Sequence, residues 1–268
     1  MKLGFIGGGN MAYAIAGGVL KTGLYRNDEI FVCDPNVTAH AKFQTAGIAV
    51  STDNSFALQG DIVILAVKPF VVERMLTELS EKEGEALLAK KVFASIAAGV
   101  TVQDIKKALG FDAKVVRIMP NTPAMVLEGM SVLAEGCPPV NAEEFAAVRQ
   151  IFEAVGKAEV LPESILNAAT SVSGSSPAYV YMMIEAMADA AVRDGIARDK
   201  AYRLAAQSVL GSAKMILETG KHPGELKDMV CSPRGTTIEA VAELEAKGFR
   251  SAIIDAMKKC TDKANAAK

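Results

Sequence analysis

The chain contains no tryptophan, only two histidines, and four cysteines that lie far apart: Cys33, Cys137, Cys231 and Cys260. No two of these cysteines form a C-x-x-C pair, which argues against both a zinc site and a disulfide framework. Histidine, cysteine and carboxylate residues do not cluster either, so metal chemistry has few candidate ligands. We therefore expect reduced thiols and no metal site.

Excess charge of one sign and long apolar runs are also missing. Lysine and arginine number 29 against 31 for aspartate and glutamate, and no basic run stands out, which disfavours nucleic acid and anionic membranes as partners. No apolar stretch is long enough to cross a bilayer, and the first residues lack the basic-then-apolar pattern of a signal peptide. We expect a cytoplasmic protein.

The first 160 residues alternate short β-rich runs with amphipathic helical stretches, the pattern of a parallel sheet covered by helices. Residues 62–67 are continuously apolar, as in a central strand that is buried on both faces. The sequence thus predicts a Rossmann-type doubly wound parallel sheet. Its strands are expected at Leu3–Ile6, Ile30–Cys33, 48–50, 62–66, 92–96, 115–118, 131–134 and 158–161.

From about Pro162 the strand pattern disappears and apolar residues recur at helical spacing, as in Val180, Ile184, Met187 and Ala191. Further helices are predicted over 199–219, 236–246 and 249–263. These helices are apolar around much of their circumference, which favours dimerisation over monomeric packing. We divide the chain into a dinucleotide-binding domain, 1–161, and an all-helical dimerisation and substrate-binding domain, 162–268.

The strongest local motif is a glycine-rich turn that follows the first strand and leads into a helix. Gly7 permits a tight turn, Gly9 lets backbone approach a pyrophosphate, and Ala12 allows close packing of helix on strand. Asn10 and Met11 begin the helix, whose unpaired N–H groups attract anions. The strand-turn-helix context favours nucleotide binding over an ordinary turn.

Asp34 ends the second strand, 22 residues after Ala12, where an acidic side chain normally receives the adenosine ribose hydroxyls. The carboxylate alone favours NADH, because it would repel a 2′-phosphate. Asn36 and Thr38, however, open the next helix and offer a place for that phosphate. The choice between NADPH and NADH stays open, and Asp34 could also be a simple helix N-cap.

Five further motifs follow one another along the chain: A-V-K-P at 66–69, M-P-N-T-P at 119–123, S-G-S-S-P-A-Y at 173–179, H-P-G-E-L-K-D at 222–228 and C-S-P-R-G-T-T at 231–237. Together, and in this order, they resemble pyrroline-5-carboxylate reductase over essentially the full chain. The resemblance implies hydride transfer from NADPH, with NADH as an alternative, to 1-pyrroline-5-carboxylate, giving L-proline in the last step of proline biosynthesis. It also implies a homodimer, which can assemble further, whose active sites borrow a loop from the partner subunit.

The resemblance assigns cofactor contacts to the glycine turn and to residues after the later strands. These residues are Ala66, Val67, Lys68 and Pro69, then Ala97, Ala98 and Gly99, and finally Asn121. Asn54 matches a family asparagine that also contacts the nucleotide, although the local spacing leaves Asp53 as an alternative for that position. Lys68 has a second interpretation, since a lysine before proline can simply position the turn.

The resemblance assigns the substrate carboxylate to Ser232, Gly235, Thr236 and Thr237, at the start of a helix. A helix N-terminus with hydroxyl groups is a plausible anion site without the family, although Ser232 could be a plain N-cap. Thr170 matches a threonine whose hydroxyl bonds the ring nitrogen, and we expect it to orient a substrate that arrives protonated.

Two residues depart from the family pattern, which usually has glycine where Ser176 and Arg234 stand. We expect Arg234 to face solvent rather than the carboxylate.

Among the histidines, His40 is expected at the surface and His222 in a structural role at a helix start. The twelve methionines are attributed to core and dimer packing.

Two other functions remain as alternatives. Related dehydrogenases of hydroxy and keto acids use a lysine on the first C-terminal helix as general acid, where this chain has Tyr181, Met182 and Met183. A non-catalytic dinucleotide sensor would not need the 232–237 motif.

Overall fold

The computed structural model describes residues 1–136 and 138–266, so Cys137 lies outside the described residues. Backbone contacts divide the chain into two compact units. The first contains Met1–Ser175 together with the chain from Cys260, and the second contains Ser176–Lys259. The predicted boundary at 161/162 stays a prediction.

The first unit is built on one eight-stranded sheet. Its strands are β1 Leu3–Ile6, β2 Ile30–Cys33, β3 Ala49–Ser51, β4 Ile62–Leu65, β5 Val92–Ser95, β6 Lys114–Met119, β7 Gly129–Ala134 and β8 Gly156–Leu161. They lie in the order β3-β2-β1-β4-β5-β6-β7-β8, and the first six are parallel and follow the order of dinucleotide-binding folds. All eight predicted strands are confirmed, with ends that differ by no more than two residues.

The last two strands run antiparallel to the first six, which the sequence pattern did not predict. β7 is antiparallel to β6, and β8 is parallel to β7. A parallel crossover needs a connection of about a dozen residues or more. The shorter link between Met119 and Gly129 instead forms a 3₁₀ turn, Thr122–Val126, and ends in Leu127 at φ 63°. The chain therefore returns beside β6.

Helices cover both faces of the sheet, as the doubly wound prediction requires. The helices of this unit are α1 Asn10–Lys21, α2 His40–Thr45, α3 Pro69–Glu83, α4 Glu85–Leu88, α5 Val102–Leu109, α6 Ala142–Glu153 and α7 Leu166–Ala169. One face packs against α1 and α6 through residues such as Ile15 and Phe152, which are fully buried. The other face packs against α3 and α5 through residues such as Leu76 and Ile105.

The second unit is helical over its described length. Its helices are α8 Ser176–Arg193, α9 Arg198–Thr219, α10 Pro223–Met229 and α11 Thr236–Ala246, and α12 Phe249–Ala266 runs from it into the first unit. Large apolar side chains stay exposed in the single chain, among them Met182, Leu217 and Ile254. Such surface is typical of helices that pack against another subunit. The predicted helices and fold class are confirmed.

A search of the described residues finds no helix with the length and hydropathy required to cross a membrane.

Candidate active site

The strands β1, β2, β4 and β5 end at the same edge of the sheet. Ile6 is in register with Cys33 on one side and Leu65 on the other, and Leu65 is in register with Ser95. The residues that follow these strands therefore lie along one edge, around the gap between β1 and β4 where the strand order reverses. Ligands of open parallel sheets bind at this switch point.

The glycine turn after β1 leaves room for an anion at the start of α1. Gly7 has φ 103°, and a Cβ on it would lie 2.6 Å from the carbonyl oxygen of Ala66. Gly9 is the N-cap of α1, has no side-chain cap, and would hold a Cβ with no atom within 4 Å. Ala12 is fully buried against the sheet, as predicted. The open space and the uncapped helix N-terminus fit a nucleotide pyrophosphate.

Asp34 is joined directly to this turn. Its Oδ2 accepts a hydrogen bond from the N–H of Gly8 at 2.7 Å, and its Oδ1 accepts one from the N–H of Asn36 at 2.8 Å. The following 3₁₀ turn is capped by Asn36, whose side-chain oxygen accepts from Thr38. The interpretation of Asp34 as the N-cap is therefore wrong, because Asn36 already fills that position.

Asp53 and Asn54 stand at the end of β3 with different partners. Asp53 caps the 3₁₀ helix Asn54–Gln59 and forms an ion pair with Lys82 at 2.8 Å. That ammonium group and the N–H of Ser55 lower the pKa of the Asp53 carboxyl. The Oδ1 of Asn54 lies 3.6 Å from the thiol of Cys33. Since Asp53 is already paired, Asn54 is the better candidate for a nucleotide contact.

The turns after β4 and β5 complete this edge. The N–H of Ala66 donates to Ile6, which continues the ladder by one residue. Lys68 is exposed at the N-cap of α3, with Pro69 in the first turn. After β5, Ala97 is buried and Gly99 turns the chain with φ 78°. The cofactor contact of Lys68 stays a prediction.

Thr170 begins a π-helical turn, Thr170–Gly174, directly after α7. The turn is closed by the N–H of Ser175, which donates to the carbonyl of Thr170 at 2.8 Å. The Thr170 hydroxyl lies 3.5 Å from the carbonyl oxygen of Leu166, the long limit of a hydrogen bond. Single π turns occur often at functional sites, and this one leaves the hydroxyl only weakly held.

Two buried polar side chains fix this turn to the sheet. Asn121 donates to the carbonyl of Ser173 at 3.0 Å and accepts from the N–H of Met130 at 2.8 Å. Arg117, on β6, donates to the side-chain oxygen of Asn167 at 2.7 Å, one helical turn before Thr170. Sequence reasoning did not single out Arg117, because an arginine within a strand carries no motif.

In the second unit, residues 232–235 form a tight turn before α11. The N–H of Gly235 donates to the carbonyl of Ser232 at 2.9 Å, Pro233 takes the second position, and Arg234 takes the third at φ 58°. A Cβ on Gly235 would overlap the Ser232 hydroxyl. Gly235, not Ser232, is the N-cap of α11 and supplies no side-chain cap, so the plain N-cap interpretation of Ser232 is wrong.

The N-terminus of α11 is thus open to an anion. Its first two residues are Thr236 and Thr237, so two hydroxyl groups stand beside uncapped backbone N–H groups. Helix N-termini of this kind attract carboxylates.

Comparison with known proteins gives two matching family models. Residues 163–267 match the model for pyrroline-5-carboxylate reductase dimerisation, and residues 2–99 match the model for NADP oxidoreductase, coenzyme F420-dependent. A pyrroline-5-carboxylate reductase of Escherichia coli is 49% identical over 267 residues, which is 98% of this chain and 96% of that protein. The chain belongs to the pyrroline-5-carboxylate reductase family.

Solved structures of the family agree in fold. A pyrroline-5-carboxylate reductase from Coxiella burnetii superposes with a TM-score of 0.89 at 35% identity, covering 97% of this chain and 96% of that one. The Plasmodium falciparum pyrroline carboxylate reductase, solved with NADP bound, gives a TM-score of 0.87 at 30% identity, covering 99% and 97%. The predicted resemblance is confirmed.

The two departures from the family pattern have different structural consequences. Ser176 simply begins α8. Arg234 takes a left-handed backbone conformation that glycine adopts without strain, and its side chain is exposed in the single chain. That it faces solvent rather than the substrate carboxylate stays a prediction.

Of the predictions for the two histidines, the one for His222 is confirmed and the one for His40 is wrong. The Nδ1 of His222 accepts from the N–H of Gly224 and caps α10, which confirms its structural role. His40 is not at the surface: it is 8% exposed, and its Nε2 lies 2.8 Å from the carbonyl oxygen of Asp34. The prediction relied on the charged neighbour Lys42. It overlooked that His40 and Phe43 are three residues apart and therefore lie on the same, buried face of α2.

Proposed function

We propose that this protein reduces 1-pyrroline-5-carboxylate to L-proline with NADPH, the last step of proline biosynthesis. The observation that carries the proposal is the presence, in one family member, of both an open anion cradle after β1 and an uncapped helix start at Ser232–Thr237. A sensor that only bound dinucleotide would need the first feature and not the second.

The cofactor side of the proposal uses the edge around β1 and β4. Gly7 and Gly9, with the N–H groups of Asn10 and Met11, take the pyrophosphate, and Asp34 takes the adenosine ribose. Asn54 contacts the nucleotide on the same side as Asp34, since its Oδ1 lies beside Cys33 at the end of β2. The nicotinamide half lies along the turns after β4 and β5, formed by Ala66, Val67, Lys68, Pro69, Ala97, Ala98 and Gly99. Asn121 stays a candidate nucleotide contact: its amide bonds to the Ser173 carbonyl and to the Met130 N–H, which leaves a second amide N–H for a ligand.

The substrate is a small ring that carries a carboxylate and an imine. The N–H groups at the start of α11, with the hydroxyls of Ser232, Thr236 and Thr237, hold the carboxylate, while Gly235 keeps the turn tight. The reduced nicotinamide, when bound, supplies the hydride that the imine carbon accepts. The protein itself mainly holds the reactants in place and excludes water.

Thr170 orients the imine nitrogen in this proposal. A protonated imine carries an N–H that must donate to an acceptor, and the weakly held Thr170 hydroxyl offers free lone pairs on its oxygen. A hydroxyl is too weak an acid to be the only proton source, so the substrate arrives protonated. The proton on nitrogen stays there in the product amine.

The match of residues 163–267 to the dimerisation model supports a homodimer with a small-molecule substrate. We extend this to active sites that combine residues 1–161 of one subunit with the 232–237 loop of its partner, and to dimers that assemble further. The free thiols of Cys33, Cys231 and Cys260 support a reducing, cytoplasmic location.

A substrate panel tests the proposal. Consumption of NADPH and of NADH is followed with pyrroline-5-carboxylate, with a hydroxy- or keto-acid panel, and with no substrate. We expect turnover with pyrroline-5-carboxylate, faster with NADPH. Turnover with a keto acid alone would favour a related dehydrogenase, and nucleotide binding without turnover would favour a sensor.

A further inference from the structure

His40 is a buried histidine that takes no part in the proposed hydride transfer. It begins α2, is buried, and places Nε2 2.8 Å from the carbonyl oxygen of Asp34. A carbonyl oxygen can only accept a hydrogen bond, so the proton of the imidazole must lie on Nε2. Phe43, on the same face of α2, is fully buried, and its ring lies beside Gly8. The helix α2 therefore supports both Asp34 and the glycine turn.

Among the described residues, four hydrogen bonds hold Asp34, and His40 supplies the one that comes from a partner's side chain. Its N–H donates to Ser51 at 3.0 Å, and its carboxylate accepts from the N–H groups of Gly8 and Asn36. Those three partners are backbone groups that almost any residue would provide. The contact to the Asp34 carbonyl depends on the identity of residue 40.

The next residue makes this contact decisive. Pro35 has no backbone N–H, so the peptide group between Asp34 and Pro35 has only its carbonyl to hydrogen-bond. Pro35 is exposed, and nothing on its own side chain can anchor the peptide. His40 Nε2 is therefore the hydrogen-bond partner that the structure gives this peptide group.

We propose that His40 is a positioning residue for the adenosine ribose: its Nε2–H fixes the Asp34–Pro35 peptide and thereby aims the Asp34 carboxylate. The inference rests on the proposed role of Asp34 in binding the ribose hydroxyls. It predicts an effect on nucleotide affinity and none on the chemistry at the imine. The KM for NADPH and NADH should respond, whereas kcat at saturating nucleotide and the KM for pyrroline-5-carboxylate should not.

Two substitutions separate the hydrogen bond from packing. The amide nitrogen of glutamine is as many bonds from Cα as Nε2 of histidine, so His40→Gln keeps a donor near its place. His40→Met fills a similar volume without a donor. We expect His40→Met to raise the KM for both nucleotides roughly tenfold, the effect of about one hydrogen bond, and His40→Gln to stay within about twofold of wild type.

Controls distinguish this role from simple loss of stability. Ile48→Val removes one buried methylene just after α2 and should lower Tm without changing the KM for nucleotide. Asp34→Ala should itself raise that KM, and adding His40→Met to it should have no further effect.

Four results would overturn the inference. If Asp34→Ala leaves the KM for nucleotide unchanged, the proposed role of Asp34 fails and the inference fails with it. If Asp34→Ala raises the KM and His40→Met does not, only the inference fails. Equal defects in His40→Gln and His40→Met would assign the effect to packing, and additive defects in the double variant would show that His40 acts independently of Asp34.

Discussion

The Cα of Gly7 lies so close to Ala66 that a Cβ on it would stand 2.6 Å from the Ala66 carbonyl oxygen. This approach joins the turn after β1 to the turn after β4, the two central strands at the switch point. Gly9, two residues later, faces open space instead. The two glycines therefore have different roles: Gly7 allows the two backbone turns to approach each other, and Gly9 leaves space for the ligand.

The substitutions Gly7→Ala and Gly9→Ala distinguish these two roles. In Gly7→Ala the new methyl would clash with the Ala66 carbonyl, and a residue with a side chain would have to adopt φ 103°. We therefore expect Gly7→Ala to lower the free energy of unfolding by about 2 kcal/mol or more. Gly9→Ala should leave Tm nearly unchanged but raise the KM for NADPH at least tenfold, because its methyl fills the space where the pyrophosphate approaches. Denaturant unfolding and initial-rate kinetics measure the two effects. A stable Gly7→Ala protein, or a Gly9→Ala protein with normal KM, would contradict the assignment.

Thr170 is expected to orient the substrate rather than supply the proton. Thr170→Val removes the acceptor with little change in volume, and we expect kcat to fall by roughly 10- to 1000-fold at saturating substrate. Thr170→Ser keeps the hydroxyl and should retain most of kcat. A loss far beyond about a thousandfold in Thr170→Val would point to essential acid catalysis.

We expect Arg234 to act through its backbone and not through its charge. The residue has φ 58° and an exposed side chain, so Arg234→Gln should change the KM for pyrroline-5-carboxylate by no more than about threefold. Arg234→Val places a β-branched residue in the left-handed region, at a strain of about 1–3 kcal/mol, and should raise that KM about tenfold. A tenfold defect in Arg234→Gln would instead show that the guanidinium contacts the substrate carboxylate.

Cys33 should make the first unit sensitive to alkali. Burial raises the pKa of its thiol from 9.0 to about 12. Between those two pH values the unfolded chain releases the proton while the folded chain keeps it, so the stability that this thiol contributes is present below pH 9 and is lost as pH rises towards 12. One such proton changes the free energy of unfolding by up to about 1.4 kcal/mol per pH unit.

Urea unfolding across this pH range measures the effect. In Cys33→Ala the decline of stability with rising pH should be shallower than in wild type, whatever the cost of the substitution at neutral pH. Tyr25, whose pKa burial also raises to about 12, stays in both proteins and serves as a common background. Identical slopes in the two proteins would show that the thiol does not titrate as its burial requires.

The parts of the fold that follow from local chemistry were predictable from the sequence. Apolar runs such as Ile62–Leu65, which pairs with a strand on each side, specify buried parallel strands whatever lies far along the chain. The glycine turn and Asp34 were predictable because their spacing reflects a backbone requirement of the nucleotide site.

What could not be predicted depends on contacts distant in sequence. The reversal at β7 is set by the geometry of the 119–129 connection, and the burial of His40 by the fold of the Asp34 turn against α2. Arg117 is buried because its guanidinium pairs with Glu163 and bonds to Asn167, which lies 50 residues further on. The π turn at Thr170 likewise depends on Asn121 and has no local sequence pattern.

The most direct test of the account is the identity and amount of product. Purified protein is incubated with NADPH and pyrroline-5-carboxylate, and proline is quantified by chiral chromatography against the NADPH consumed. The account predicts one L-proline for each NADPH oxidised, with formation much reduced in both Gly9→Ala and Thr237→Val proteins that remain folded. Oxidation of NADPH without proline, or full proline formation by the folded Thr237→Val protein, would contradict it.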